Sequence, residues 1–221
     1  KKIKILENQK QKVNYLILKI KNLVITLMLL RVFKMKKINN MRDHHIIIDR
    51  IKQGASQDIV RAIRTESDKE ARNKLKQSLP AICFSGKFTK RNDSSITEHS
   101  GLICLDFDNF PSEKLMLEEK EILTKDRYTY SVFISPSGLG LKVLVKIPAE
   151  DDTHIKFFNS LQTHYDSEYF DKACRNVSRV CYESYDPLIY INEQSSVFNQ
   201  ITEQQCKTQK LARISKMSVN K

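Results

Sequence analysis

The segment Leu102–Phe107 constrains the fold of this chain more than any other, because it is an almost unbroken apolar run. A short run of this kind predicts a central strand that is buried on both faces of a sheet. Asp106 interrupts the run near its end, and Asp108 follows it directly. The fold must therefore bury a strand that carries acidic side chains where it ends.

Sequence patterns on the amino-terminal side of this strand predict a helical front. A first helix is expected from Asp43 and a second one from Ser56. Ser67 and Glu70 match the capping box S-x-x-E, which predicts a third helix that ends before Pro80. Three helices are therefore expected before the apolar strand.

The rest of the chain alternates between helix and strand patterns, which predicts an α+β fold with a sheet of about five strands. Two more helices are expected, one that opens at Ser112 and one marked by Phe158 and Leu161. The candidate strands are Ala81–Phe84 with a bend before Phe88, Leu102–Phe107, Tyr128–Ile134, Leu141–Ile147, Val177–Tyr182 and Leu188–Ile191.

The net charge of +12 belongs to the two ends of the chain. Residues 1–42 hold 12 basic side chains against one acidic one, residues 200–221 hold five against one, and residues 43–199 hold 21 against 24. Basic ends bind phosphate backbones non-specifically, but a solvated tail explains them equally well. We expect a poorly ordered basic extension at 1–31, one domain at 32–199 and a basic tail at 200–221.

The composition excludes several classes of protein. A hydrophobic share of 40% and a charged share of 29% are unlike a fibrous repeat, a wholly disordered chain or a multi-span membrane protein. The apolar stretch from Tyr15 to Phe33 contains Lys19, Lys21 and Arg31, whereas a spanning helix needs about 20 apolar residues, so no membrane partner is expected. The five cysteines form no C-x-x-C pair, which argues against a disulfide scaffold or a zinc ribbon and favours a cytoplasmic protein.

Asp106 and Asp108 are the first candidates for chemistry. Residues i and i+2 of a strand point to one face, about 6.5–7 Å apart at Cα, and two carboxylates there repel each other unless a cation lies between them. Such a pair can hold divalent ions for phosphoryl or nucleotidyl transfer. Turn chemistry at the end of a strand is the alternative interpretation.

A glycine-rich turn follows, in the sequence Ser135-Pro-Ser-Gly-Leu-Gly-Leu-Lys142. Backbone N–H groups near Gly138 and Gly140, the Ser137 hydroxyl and the Lys142 ammonium group could together cradle a triphosphate. The spacing does not match a P-loop, and a plain β-hairpin explains the same residues.

Several stretches occur in an order that can be compared with known families: Leu79–Phe88, His99–Asp108, Phe133–Lys142, Phe170–Asp171, Ser178–Tyr182 and Ser184–Pro187. Together they resemble the N-terminal domain found ahead of virulence-protein-E-type helicases in bacterial mobile elements and phages. The resemblance covers about Val32 to Phe198. That family is similar to the archaeo-eukaryotic primase and primase-polymerase superfamily, whose RRM-like palm carries a D-x-D/E motif, a glycine-containing motif and a late acidic motif.

The resemblance implies a role for each matching residue. Asp106, Asp108 and Asp171 would be the catalytic carboxylates and would bind two Mg²⁺ or Mn²⁺ ions. The segment that binds the nucleotide phosphates would comprise Ser137, Gly138, Gly140 and Lys142, and Arg179 would contact a phosphate or the template.

The implied function is that of a primase-polymerase-like nucleotidyltransferase in the replication of a mobile element or phage. Its partners would be a DNA template, nucleoside triphosphates and a helicase. Many active members carry a histidine in the second motif, and this sequence has none there. Either Lys142 replaces that charge, or the domain is a catalytically degenerate module that binds single-stranded DNA and recruits a helicase.

Overall fold

The structure is a computed structural model that describes residues 43–150 and 152–201. The basic extension expected at 1–31 and nearly all of the tail expected at 200–221 lie outside the described residues. The helices are α1 (Asp43–Gln53), α2 (Gln57–Thr65), α3 (Lys69–Ser78), α4 (Glu113–Lys125) and α5 (His154–Tyr165). The strands are β1 (Ala81–Ile82), β2 (Gly86–Phe88), β3 (Ile96–His99), β4 (Leu102–Phe107), β5 (Thr129–Ile134), β6 (Leu141–Lys146), β7 (Cys181–Tyr182) and β8 (Tyr190–Ile191).

The predicted helical front is confirmed by α1, α2 and α3. The capping box predicted for α3 is wrong, because Asp68 rather than Ser67 caps this helix. The Asp68 carboxylate accepts a hydrogen bond of 2.7 Å from the backbone N–H of Ala71. A carboxylate at this position also interacts favourably with the positive end of the helix dipole.

The main sheet has four strands in the order β4-β6-β5-β8, and each neighbouring pair is antiparallel. Strands β4 and β5 are therefore parallel, joined through α4, with β6 inserted between them. The bounds predicted for β4 are confirmed, and all six of its residues are buried. Its predicted central place is wrong, because β4 lies at one edge of this sheet.

A segment that follows α5, the Phe170 segment (Tyr169–Asp171), covers this edge in place of a full strand. The N–H of Asp171 donates to the carbonyl oxygen of Asp106 over 2.8 Å, and the N–H of Asp108 donates to that of Tyr169 over 2.8 Å. Phe107 and Phe170 form an isolated antiparallel bridge between these bonds. This segment covers the edge of β4, and side chains packed on both faces of the sheet bury the rest of it. An apolar run can therefore form an edge strand as well as a central one.

The single sheet of about five strands is only partly realised. Residues predicted as two of its strands instead form a separate ribbon, in which β1 pairs with β7 over two residues each. Strands β2 and β3 form another ribbon, and the sequence pattern did not predict β3.

The two faces of the main sheet differ in chemistry because side chains alternate along each strand. On one face, Ile103, Leu105 and Phe107 pack into the hydrophobic core with residues of α4 and α5. The opposite face carries Cys104 and Asp106 of β4, both buried. Within residues 43–150 and 152–201, no helix combines the length and the hydropathy needed to cross a membrane.

Candidate functional site

Asp106 forms a buried ion pair with a lysine on the neighbouring strand. It lies directly opposite Lys142 in the β4–β6 register, and Lys142 Nζ is 2.5 Å from Asp106 Oδ2. The two side chains are only 14% and 4% exposed. Burial lowers the pKa of Lys142, but the charge and hydrogen bond of Asp106 together with Cys181 and Cys104 outweigh burial, so the pKa is raised and Lys142 is an ammonium ion.

Asp171 lies beside Asp106 because backbone hydrogen bonds hold its segment along the edge of β4. Burial opposes ionisation of Asp171, but hydrogen bonds from the Cys174 thiol and the Ala173 N–H, with the positive charges of Arg179 and Lys142, outweigh it. The pKa of Asp171 is therefore lowered, and its side chain is a carboxylate at neutral pH.

Cys174 bridges these two carboxylates. Its Sγ lies 2.6 Å from Asp171 Oδ2 and 3.2 Å from Asp106 Oδ2. One ligand atom each from Asp106, Asp171 and Cys174 lies within 4.8 Å of the others, the spacing of a group that can hold a metal ion. Burial, together with the charge of Asp106, raises the pKa of Cys174, so the thiol is protonated and donates hydrogen bonds.

Sequence reasoning missed Cys174. The only local indication was the spacing Asp171-x-x-Cys174, which forms a turn in which the Cys174 N–H donates to the Asp171 carbonyl oxygen over 3.3 Å. A hydrogen bond of 2.9 Å from the Ala173 N–H to Asp171 Oδ1 closes the same turn.

Asp108 is not one of the three grouped ligands and lies against the glycine-rich turn. A Cβ atom at Gly140 would collide with Asp108 Oδ1, so glycine permits this contact. Burial raises the pKa of Asp108; Lys142 opposes this rise, and the charges of Asp106 and Asp171 add to it. Asp108 therefore belongs to the same electrostatic cluster as the other two acids.

The turn itself uses some of the groups expected to hold phosphate. The Gly138 N–H donates to the carbonyl oxygen of Ser135 over 3.0 Å, and the hydroxyls of Ser135 and Ser137 are 2.9 Å apart. Gly138 has a φ of +84°, which favours glycine, and a Cβ atom there would lie 3.2 Å from Arg64 Cγ. The Gly138 N–H is thus engaged within the turn, whereas Gly140 faces the acids.

Arg179 reaches the cluster from the loop before β7. Its guanidinium Nη2 atom lies 3.4 Å from Asp106 Oδ2, and its side chain is 39% exposed. Burial lowers the pKa of Arg179, but Cys174 and Asp106 outweigh this effect and the pKa is raised. Asp106 Oδ2 therefore faces three donor side chains.

A third cation, Lys76 of α3, is close enough to Asp108 for an electrostatic interaction. Burial lowers the pKa of Lys76, and the charge of Asp108 partly opposes this. The three carboxylates are accordingly matched by three basic side chains from β6, α3 and the loop before β7. Carboxylate oxygens suit Mg²⁺ and Mn²⁺, and Asp106 and Asp171 are close enough to share one such ion.

Comparison with known proteins gives one family. Searches of curated proteins and of solved structures gave no significant match. A family model described as "BT4734-like, N-terminal domain" matches residues 74–191, which is more than half of the chain and includes every predicted site residue. The chain therefore belongs to the BT4734-like N-terminal domain family.

Proposed function

We propose that this domain is a primase-polymerase-like nucleotidyltransferase that acts in the replication of a mobile element or phage. The observation that carries the proposal is the meeting of Asp106 and Asp171, which are distant in the chain, with ligand atoms within 4.8 Å. Asp108 and Gly140 extend this acidic group to the glycine-rich turn.

The order of elements supports an RRM-like palm. Strands β4, β5 and β6 with α4 form a β-α-β unit that is split by an antiparallel strand, and α5 follows it. In an RRM-like sheet, a further strand would next pair with the free edge of the first strand. Here the Phe170 segment occupies that position and carries Asp171.

Each residue has a role in the proposed reaction, in which the 3′-hydroxyl gives its proton to water and its oxygen bonds to the α-phosphorus. The bond from the α-phosphorus to the bridging oxygen breaks, and pyrophosphate leaves. Two Mg²⁺ or Mn²⁺ ions, held by Asp106, Asp108 and Asp171, would supply electrostatic stabilisation of the transferring phosphoryl group. Lys142 would bind triphosphate oxygens as a point charge. The remaining contacts to the nucleotide would come from Ser137, Gly138 and Gly140 at the turn, and Arg179 would contact a phosphate or the template.

A specific observation favours the second candidate, a degenerate module that binds single-stranded DNA and recruits a helicase. Asp106 Oδ2 is already paired with Lys142 and Arg179, so the first acid of the pair is neutralised by the protein itself. A site that retained this arrangement with nucleotide present would bind phosphates without transferring them.

Primer extension separates the two candidates. The full chain would receive a single-stranded DNA template, a primer, labelled nucleoside triphosphates and Mn²⁺. We expect template-dependent extension that falls at least about 100-fold in Asp106→Asn and in Asp171→Asn, because oxygen ligands with full negative charge are lost.

Glu118→Gln is the matched control, since Glu118 is an exposed carboxylate of α4 that pairs only loosely with Lys114 at 3.7 Å. Extension by this variant should equal that of the native protein. DNA binding without extension, unchanged in Asp106→Asn, would support the degenerate module and contradict the transferase.

A further inference from the structure

Asp106 Oδ2 accepts from three side chains at once. Lys142 Nζ lies at 2.5 Å, Cys174 Sγ at 3.2 Å and the Arg179 guanidinium at 3.4 Å. The same carboxylate is a member of the group that can hold a metal ion. The protein's own cation therefore stands at the carboxylate that a divalent ion would use.

A divalent ion and the Lys142 ammonium group compete for this carboxylate. An ion bound through oxygen lies about 2.0–2.6 Å from its ligand atom, so both cations would be within a few ångströms of each other in a largely buried site. At that separation their repulsion is large. The ion can therefore bind only if the Lys142 ammonium group moves away from Asp106.

Lys142 has a flexible side chain and lies at the end of the turn that would receive its charge. Its four-carbon side chain is flexible, and it follows Gly140 by two residues at the end of the glycine-rich turn. Asp108 lies against this same turn. Rotation about the side-chain bonds of Lys142 would move the ammonium group from Asp106 toward anions bound at the turn.

We propose that the Lys142 ammonium group occupies the place of a divalent ion at this site in the nucleotide-free protein. When the divalent ion enters, the ammonium group moves to the triphosphate. This inference rests on the proposed nucleotidyltransferase function and adds its regulation. This exchange makes metal binding and triphosphate binding mutually dependent. The triphosphate accepts the Lys142 charge that would otherwise repel the ion, and the ion takes the place beside Asp106 that Lys142 leaves.

The test measures Mn²⁺ binding by the full chain without nucleotide or DNA, from the free-ion electron paramagnetic resonance signal. We expect Lys142→Met to bind Mn²⁺ at least about 10-fold more tightly than the native protein, because the competing charge is gone. Lys146→Met is the matched control: Lys146 is on the same strand and bonds to the carbonyl oxygen of Glu193 at 2.8 Å, so its loss should leave Mn²⁺ affinity unchanged.

Thermal unfolding provides a second readout that still applies if the variant is unstable without the ion. Loss of Lys142 leaves Asp106 short of a partner, so Mn²⁺ should raise the Tm of Lys142→Met more than that of the native protein. If the variant folds only with Mn²⁺ and not with NaCl of equal ionic strength, the proposal is supported equally.

The outcomes also distinguish this inference from the proposed function. Equal Mn²⁺ affinity in the native protein and Lys142→Met, with extension activity intact in the native protein, would overturn the exchange of Lys142 and leave the transferase standing. Absence of Mn²⁺ binding in both proteins, together with absence of extension, would overturn both.

Discussion

Among residues 43–150 and 152–201, two buried lysine–aspartate pairs differ in what surrounds them. Lys120 Nζ is 2.7 Å from Asp186 Oδ2, and Lys142 Nζ is 2.5 Å from Asp106 Oδ2. In the first pair the remaining partners are backbone groups: the N–H groups of Ile134 and Leu188 each donate to Asp186 over 2.9 Å. Such partners are fixed by the fold, so this pair is a structural tie between α4, β5 and the loop before β8.

Around Asp106 the partners are side chains, and two further carboxylates share the cluster. Side chains can rotate away, whereas backbone groups cannot without unfolding their segment. The comparison indicates that the two ion pairs have different roles. The Lys120–Asp186 pair holds secondary-structure elements together, whereas the Lys142–Asp106 pair places a lysine where a ligand can displace it.

The largest effect is expected for Asp186→Ala. It leaves the Lys120 ammonium group buried and two backbone N–H groups unpaired, which should lower the free energy of unfolding by about 3–5 kcal/mol. Urea denaturation measures this loss, and Mn²⁺ should not restore it. A loss below about 1 kcal/mol would mean that the backbone partners do not make this pair structural.

A buried pair without opposite charges sharpens the comparison. His99 Nε2 and His154 Nδ1 are 3.1 Å apart, and burial, with the nearby His99, lowers the pKa of His154 to about 4. The unfolded chain therefore takes up this proton first as the pH falls. Stability present above about pH 6.5 should decline by about 2–3 kcal/mol on reaching pH 4.

Urea denaturation at several pH values measures this decline, and His154→Gln should flatten it between pH 6.5 and 4. Below that window the variant should still lose stability, because the lowered pKa values of Asp93 and Asp171 belong to other groups. An unchanged slope in His154→Gln would contradict the assignment to His154.

A smaller loss, about 1–2 kcal/mol, is expected for Asp106→Asn. The amide keeps the shape of the side chain. The carboxylates of Asp108 and Asp171 also remain near Lys142 and Arg179, so these two cations still interact with negative charge. The variant should also lose any stabilisation by Mn²⁺, as measured by the shift in Tm. If it instead lost as much stability as Asp186→Ala, Asp106 would be structural and the two pairs would be alike.

The smallest effect, about 1 kcal/mol, is expected for Gly140→Ala, whose methyl group would push Asp108 away from the turn. Mn²⁺ titration should show weaker binding in this variant. Gly101→Ala serves as a control, since Gly101 has a φ of +76° and lies at the other end of β4, so its strain should reduce stability without altering Mn²⁺ binding.

Much of the local structure was predictable from sequence, and the pairing of distant segments was not. Ser112 caps α4 as predicted, because its hydroxyl accepts from the Leu115 N–H at 3.3 Å, a contact within four residues. The edge position of β4 escaped prediction because an apolar run reports burial but not which neighbours supply it. Patterns within a strand contain no information about the Phe170 segment.

The candidate site divides in the same way. The two acids at the end of β4 are visible in a single short motif. Cys174 joins them only through the fold of the loop after α5, and the opposition of Asp106 and Lys142 depends on the β4–β6 register. Sequence reasoning accordingly described the acids as repelling each other and assigned Lys142 and Arg179 to phosphates, and it did not foresee that both pair with Asp106.

The hydrogen bonds between the Phe170 segment and β4 have a consequence for variation in this family. Their donors and acceptors belong to the main chain, so they survive almost any change of side chain nearby. Stretches inserted between β6 and α5, or within the turn that follows α5, would lengthen the route between the acids without altering their separation. Natural or engineered insertions at those places should be tolerated. A proline in place of Asp171 should not be tolerated, because it removes the N–H that donates to the carbonyl oxygen of Asp106.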